Sequence, residues 1–524
     1  MKLKITRDEG EAMSKNPISR RRFLGTIGAG AVSLALPVYA QSQGSLSSNK
    51  TARRPNIVFI LVDDMGWMDI GVNGSRFYET PNVDKLASEG MRFTQAYAAS
   101  PICSPTRASI LTGKNPARIN LTQWIGGPGN PDYVKNLPLE EVLLPEQLKP
   151  AGYTNGFFGK WHLNNRAGEV KYWPQEQGFD TNVAGHWRGG LYIPNQFFSP
   201  WDVPNIENGP DGEYMTDRLA QEAASFIEGN KDNPFLVYLS FYTVHAPFNA
   251  PKNRVDKYEQ KKTELGLTDE ERFGQENAAG KTFKYRKAQD HATYGAMVES
   301  MDMAVGTVLE KVKKLGLEDD TIVFFFSDNG GLSTSEGTPT ANTPLRAGKG
   351  WLYEGGIREP AIIKWPGQMK PGTVSDAVIT SMDFYPTILE MAGLPLRPDL
   401  HVDGKSLVPL LRQQVNQVHA ATYFHYPHRS NQKGTPCGAI RVGDYKLINF
   451  FSDNKLELYN LKDDIGETNN LADTMPELRD SLLGMLHGWW DEVGAKFPKG
   501  YTRIPNIPIK KVPSLPHSAT PTSR

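Results

Sequence analysis

Ile57-Val58-Phe59-Ile60-Leu61-Val62-Asp63-Asp64 is an unbroken apolar run, rich in β-branched residues, that stops at two carboxylates. A strand with water on one face alternates apolar and polar positions, so a run with no polar position belongs to a strand covered on both faces. Two more runs repeat the pattern. Phe235 to Tyr242 leads through Thr243-Val244 to His245-Ala246-Pro247, and Thr321 to Phe326 leads into Ser327-Asp328-Asn329-Gly330-Gly331. In open α/β sheets the ligand crevice lies outside the carboxyl ends of the strands, so these polar endings, far apart in sequence, are expected to converge. Between the second and third runs, Tyr294, Met297, Val298, Met301, Val305, Val308 and Val312 recur at helical spacing and predict an amphipathic crossover helix ending before Gly316. Strand, helix and strand in that order indicate an α/β fold with a mostly parallel, two-sided sheet.

Farther along, residues 327–350 are rich in Gly, Thr, Pro and Ser and have no apolar period, which predicts a long functional loop. Residues 249–290 are charged and poor in apolar residues, reading as a surface insertion. After about residue 400 the pattern changes. Ala421 to Tyr426, Gly438 to Val442, Tyr445 to Phe450 and Leu456 to Leu461 alternate with turn signals at Gly443-Asp444 and Asp453-Asn454, predicting an antiparallel sheet. A helix from about Pro476 to Val493 follows.

A chain of 524 residues exceeds the size at which one core keeps growing, so a large α/β domain over 53–400 and a smaller α+β unit over 401–502 are expected. Lys plus Arg and Asp plus Glu both total 58, so no overall field attracts nucleic acid or an anionic membrane. No apolar run after residue 40 is long enough to span a bilayer. Ser19-Arg20-Arg21-Arg22-Phe23-Leu24, the Gly/Ala-rich apolar stretch to Leu36, and Val38-Tyr39-Ala40 follow the order of a twin-arginine export signal over 1–40. A polar linker (41–52) comes next, and the Pro- and Ser-rich residues 503–524 read as an unpacked tail. Export permits disulfides, but Cys103 and Cys437 allow one bridge at most.

The surroundings of Cys103 favour chemistry over bridging. In Cys103-Ser104-Pro105-Thr106-Arg107, Pro105 suits a first helical turn, Ser104 a cap, and the Gly113 region an end, which places residue 103 where helix amides favour an anion. Asp63, Asp64, Asp328 and Asn329 offer only oxygen donors, the preference of a hard divalent ion, although each alone reads equally well as a cap or turn residue. In Gly159-Lys160-Trp161-His162-Leu163, an extended backbone would turn Lys160 and His162 to the same side.

The C-x-P-x-R pattern at Cys103, continued by Ala108-Ser109-Ile110-Leu111-Thr112-Gly113, resembles the modification motif of the formylglycine-dependent sulfatase family. The resemblance runs from about Pro55 to Ala472 and includes Thr80-Pro81-Asn82-Val83-Asp84-Lys85-Leu86-Ala87, Met382-Asp383-Phe384-Tyr385-Pro386-Thr387, Asp403-Gly404-Lys405-Ser406-Leu407 and Leu458-Tyr459-Asn460-Leu461. It implies an alkaline-phosphatase-like α/β sandwich, with a large mixed sheet between helices and a smaller C-terminal domain. It further implies that Cys103 becomes formylglycine, whose hydrate attacks sulfur with one hydroxyl and collapses through the other, splitting a hard step into two. The ion implied is calcium, with magnesium as the alternative. By the same resemblance, Lys160 steadies the sulfate and His162 takes the proton at collapse. Arg107 holds the hydrate and the carboxylates. His245 and Lys349, the latter in Gly348-Lys349-Gly350, face the leaving oxygen, and His245 is the expected acid because an unperturbed imidazole titrates near neutrality.

Substrate choice is less legible. His186-Trp187-Arg188 sets an aromatic face beside cations and is a candidate sugar-binding segment. Export and family together imply a carbohydrate sulfatase acting in the periplasm or outside the cell, with a galactose-type 4-sulfate as one candidate ester. The implied partners are a sulfated saccharide, a formylglycine-generating or anaerobic sulfatase-maturating enzyme, and the twin-arginine translocase, with no nucleic acid and no stable membrane insertion. A phosphonate or phosphate esterase on the same scaffold, and a noncatalytic sulfated-glycan-binding protein, are the competing functions.

Overall fold

Every side chain from Ile57 to Val62 is fully buried, and alternate ones enter different cores: Ile57, Phe59 and Leu61 on one face, Val58, Ile60 and Val62 on the other. This is why the run has no polar position. The computed structural model describes residues 53–166, 170–192, 197–267, 272–278 and 281–509; the export-signal and linker segments and the end of the tail lie outside them. In chain order the strands are β1 (Asn56–Val62), β2 (Met91–Tyr97), β3 (Thr154–Gly159), β4 (Thr181–Val183), β5 (Phe235–Ser240), β6 (Phe273–Ala278), β7 (Lys281–Arg286), β8 (Thr321–Ser327), β9 (Arg358–Lys364), β10 (Thr373–Thr380), β11 (Thr422–Tyr426), β12 (Cys437–Val442), β13 (Tyr445–Phe450) and β14 (Leu456–Asn460).

Eight strands form the main sheet in the order β10-β2-β9-β8-β1-β5-β3-β4. β1 pairs in parallel with β5 and β8, β3 with β5 and β4, and β10 with β2, whereas β9 runs antiparallel to β8 and β2. The sheet is therefore mixed and mostly parallel, as the unbroken apolar runs required. The helix Ala292–Lys314 buries all seven of the residues expected on its apolar face, beside the helix Met215–Gly229. The helices Cys103–Thr112 and Phe384–Met391 cover the opposite face. At about 1.5–3 kcal/mol for each large aliphatic or aromatic side chain buried, these two layers supply most of the stabilisation of the sheet.

The second sheet, β11-β12-β13-β14, is antiparallel, with the helix Pro476–Val493 on one face. Its other face meets Tyr97, Ile102 and the Trp351–Ile357 segment of the main unit. Lys446 of β13 is fully buried at this seam, 2.9 Å from both Glu354 and Glu467. Burial works against charge on Glu354, but Lys446 and Arg358 outweigh it and hold its carboxyl down to about 2, while burial pushes Glu467 up to about 7. One ammonium thus serves two carboxylates, of which one keeps its proton to near neutrality. Such a network ties the C-terminal sheet to the segment that carries Lys349.

Two expectations change. The charged stretch 249–290 contains a helix, Lys252–Glu264, whose Tyr258 packs into the core, and the hairpin β6–β7; charge dominates its composition because only one face of each is covered. The start of the expected tail is packed: Arg503 pairs with Asp491 at 2.6 Å, and Ile504 and Ile507 lie against the C-terminal core. Cys103 and Cys437 are both buried free thiols. Among the described residues no helix is long and apolar enough to cross a membrane.

Candidate active site

Parallel register carries the carboxylates together. Val62 pairs with Ser327, so Asp63 and Asp328 leave adjacent strands at the same level; Gly159 pairs with Ser240, which in turn pairs with Leu61. Lys160, the first residue after β3, therefore joins them, and its Nζ lies 2.6 Å from Asp63 Oδ2. Oxygen atoms of Asp63, Asp64 and Asp328 lie within 4.8 Å of one another, all buried. Asp64 adopts φ 62°, a left-handed conformation that Asp tolerates better than most residues and that turns the chain sharply after β1.

The helix Cys103–Thr112 points its N-terminus at this cluster and is buried along its whole length. Cys103 is its first residue. Ile102 precedes it in an extended conformation without a side-chain cap, so the cap expected from Ser104 does not form. Ser104 Oγ instead donates to the His162 carbonyl at 2.8 Å and accepts from the Ile125 amide, binding the helix to the His162 loop. Arg107, one turn on and on the same helix face, sends Nε and Nη2 to Asp328 at 2.8 Å each and Nη1 to the Lys160 carbonyl and Ser240 Oγ.

His162 does not continue β3. It sits at φ 54°, and its amide donates to the His186 carbonyl, so the alternation expected of Lys160 and His162 gives way to a turn that still delivers both. His162 Nε2 faces the Ile125 carbonyl at 3.1 Å, and Nδ1 faces Cys103 Sγ at 3.3 Å. A carbonyl only accepts, so Nε2 carries the ring proton and Nδ1 presents its lone pair to residue 103. Burial, then Lys160 and Arg107, hold this imidazole well below its ordinary range and therefore neutral. Burial also pushes the Cys103 thiol up, against Lys160 and Lys349, the opposite direction from an activated thiolate nucleophile.

On the far side, Lys349 Nζ lies 2.7 Å from Asp64, and His245 Nε2 lies 3.6 Å from Asp64 Oδ2. The neutrality-based expectation for His245 needs correction. Burial and then Lys349 pull its imidazole down to about 3, against the attraction of Asp64, so the ring is neutral at physiological pH. Burial works against charge on Lys349, but Asp64, together with Cys103, Glu336 and Asp63, outweighs it and raises that ammonium well above its usual range.

Two buried acceptors, Asp63 Oδ1 and Asn329 Oδ1, have no donor among the described residues. Lone pairs so placed beside three carboxylates are the donor set of a hard cation. The described residues thus fit a divalent ion held by Asp63, Asp64, Asp328 and Asn329. With Arg107, Lys160 and Lys349 balancing the three carboxylates charge for charge, a divalent ion would leave the site net positive, as an anionic substrate requires.

Within the segment His186–Arg188 only His186 is enclosed. His186 is fully buried, with its ring bonded to the Arg188 amide and to Tyr242 Oη, and Arg188 pairs with Asp202 at 2.9 Å. Trp187 is half-buried, with Arg188 and Arg166 over its ring. The two glycines that follow do approach the site: a Cβ on Gly189 would fall 2.3 Å from His162 Cε1. Beyond them Tyr192, 61% exposed, sets its ring edge-on to His245 with centroids 5.7 Å apart. Trp124 flanks His162 on the other side at 6.4 Å. Neither aromatic carries a sequence signal, since both lie on irregular loops without periodicity.

Known proteins resemble this chain along most of its length. The sulfatase family model matches residues 55–394, and the C-terminal model of N-sulphoglucosamine sulphohydrolase matches 347–487. The N-acetylgalactosamine-6-sulfatase of Mus musculus is 35% identical over 75% of this chain and 71% of its own length. A sulfatase of Formosa agariphila is 31% identical over 87% of this chain and 92% of its own. The crystal structure of Ps i-CgsB in complex with k-i-k-neocarrahexaose aligns with a TM-score of 0.69 at 27% identity, covering 86% of this chain and 95% of that one.

Proposed function

We propose, from the premise that this chain belongs to the sulfatase family and is a sulfuric ester hydrolase, that it removes sulfate from sulfated carbohydrates in the periplasm or outside the cell. The observation that carries this reading is a buried residue 103 at a helix N-terminus, facing a cluster of carboxylates, three cations and a neutral histidine. Formylglycine made from Cys103 supplies the nucleophilic hydroxyl. A calcium ion held by Asp63, Asp64, Asp328 and Asn329 supplies positive charge against the sulfate oxygens. Lys160 and Arg107 hold the reacting group from the sheet side, and Nδ1 of His162 is the base that faces residue 103. Relatives named N-acetylgalactosamine-6-sulfatase and a neighbour in complex with k-i-k-neocarrahexaose support a sugar as the alcohol. Modification by a maturating enzyme before twin-arginine export fits a folded cargo; Tyr192, beside His245, and Trp124, beside His162, are the side chains we assign to the sugar.

The test is sulfate release from a panel of defined sulfated saccharides, with nitrophenyl sulfate and nitrophenyl phosphate as reference esters. Sulfate release from at least one saccharide, with phosphate cleavage far slower, is the expected result. Phosphate cleavage exceeding sulfate cleavage would reverse the assignment.

Lys349 and His245 together face the leaving oxygen. A sugar alkoxide needs a proton as it departs, whereas nitrophenolate leaves without one. Lys349→Ala is therefore expected to slow release from a sugar sulfate by about 10²- to 10⁴-fold and to slow nitrophenyl sulfate hydrolysis much less. Equal losses on both esters would place Lys349 on the sulfate instead.

A further inference from the structure

A cleft of about 460 Å³ opens beside the C-terminal sheet and belongs to none of the chemistry above. Its lining includes Asn130, Arg429, Phe451, Lys499 and Tyr501, and it contains two basic residues and no acidic one. Arg429 and Lys499 are exposed, and neither meets a carboxylate among the described residues. In a chain of zero net charge, two cations without a carboxylate partner in one concavity make that concavity locally positive. Tyr501 adds an aromatic surface, stacked on Phe497 with centroids 5.0 Å apart and held against Phe451 at 4.6 Å. A cation pair beside a fixed aromatic ring and prolines is the composition that recognises a sugar ring bearing an anionic group.

Two of the loops that line the cleft run on to residues in contact with the catalytic segments. Pro128 and Asn130 continue the loop that starts at Trp124, whose ring flanks His162. Arg429 precedes Ser430, and the Arg429–Pro436 loop packs on Gly350, the neighbour of Lys349. A Cβ on Gly350, which sits at φ 86°, would fall 2.2 Å from Ser430 Oγ. The Gln432 carbonyl accepts from Trp351 Nε1 and Thr334 Oγ1, fixing the same loop to the catalytic segment. The two loops thus connect the cleft to His162 on one side and to the segment carrying Lys349 on the other.

We propose that this cleft is a second saccharide subsite, in which Arg429 and Lys499 bind a sulfate or carboxylate on a sugar unit other than the one being desulfated. The enzyme then prefers an oligosaccharide with more than one anionic unit over a monosaccharide sulfate. This rests on the sulfatase reading above.

The test is the double variant Arg429→Ala/Lys499→Ala in the full chain, assayed on a multiply sulfated hexasaccharide and on nitrophenyl sulfate. KM for the hexasaccharide is expected to rise about tenfold with kcat kept, the size expected for two charge-assisted contacts at a solvent-exposed rim. Kinetics on nitrophenyl sulfate should not move, and Arg429→Lys/Lys499→Arg should restore most of the loss. An unchanged hexasaccharide KM, or equal losses on both substrates, would overturn the proposal. Should the wild-type protein release no sulfate from any ester, the catalytic reading fails by itself. Calorimetry of hexasaccharide binding to Cys103→Ala, with and without the two cleft substitutions, still reads the cleft, and equal affinities there would also overturn it.

Discussion

Cys103→Ala is expected to cut sulfate release by about 10⁴-fold or more while leaving the fold intact, because it removes the nucleophile's precursor and nothing that the helix needs. Alanine is the best helix former, and residue 103 takes no cap bond from its own side chain. The substitution gives up the 3.3 Å approach of Sγ to His162 Nδ1, and that ring keeps its bond to the Ile125 carbonyl. Thermal melting should therefore stay close to that of the parent protein. In the same experiment, mass spectrometry of the peptide around residue 103 from the native host should show an aldehyde in place of the thiol. A fully active enzyme with an unaltered thiol, or equal sulfate release by the alanine variant, would remove the basis of the mechanism.

Arg107→Met should damage both stability and catalysis. The guanidinium is buried, donates from Nε to Asp328 and holds Nη2 2.8 Å from the same oxygen, also binds the Lys160 carbonyl and Ser240 Oγ, and lies 3.6 Å from Asp63. Methionine keeps much of the volume but strands Asp328, and breaking a buried ion pair on one side costs about 3–5 kcal/mol. Burial already pushes the Asp63 carboxyl well above its usual range despite Lys160, so losing a cation moves it further toward protonation and weakens its capacity to hold a metal ion. A loss of about 10³-fold in kcat/KM should accompany the drop in melting temperature. Arg107→Lys keeps the charge but not the fork that spans Asp328, Ser240 and Lys160, and should fall between the two. A methionine variant as stable as the parent and within tenfold of its activity would mean that the carboxylates are held by something else.

The sheet was legible because its strands announce themselves. Six consecutive apolar residues before Asp63-Asp64 permit few structures other than a doubly covered strand, and the same holds for the runs before Ser240 and Ser327. The seven apolar positions from Tyr294 to Val312 placed the long helix, and the turn residues between β11 and β14 placed the second sheet. Less legible was the insertion over 249–290, where Tyr258 is the one buried side chain of a helix of otherwise charged composition. Burial within the His186–Arg188 segment was hidden for a related reason. A histidine, a tryptophan and an arginine in a row look like a ligand contact, but burial is a property of what surrounds a loop, and His186 is enclosed while Tyr192 is not.

By itself the amino-acid sequence determined which segments become the central strands, which helix starts at Cys103, and which oxygen, nitrogen and sulfur atoms are available for chemistry. Those properties are local: side-chain period, β-branching and helix-terminal residues act over a few positions along the chain. Only the tertiary structure decided that Ser104 ties down the His162 loop instead of capping its helix, that His245 is neutral while Lys349 is charged, and that Arg429 and Lys499 share a cleft. Each of these depends on groups more than twenty residues apart, whose desolvation and mutual charge exist only once the sheet has brought the loops together.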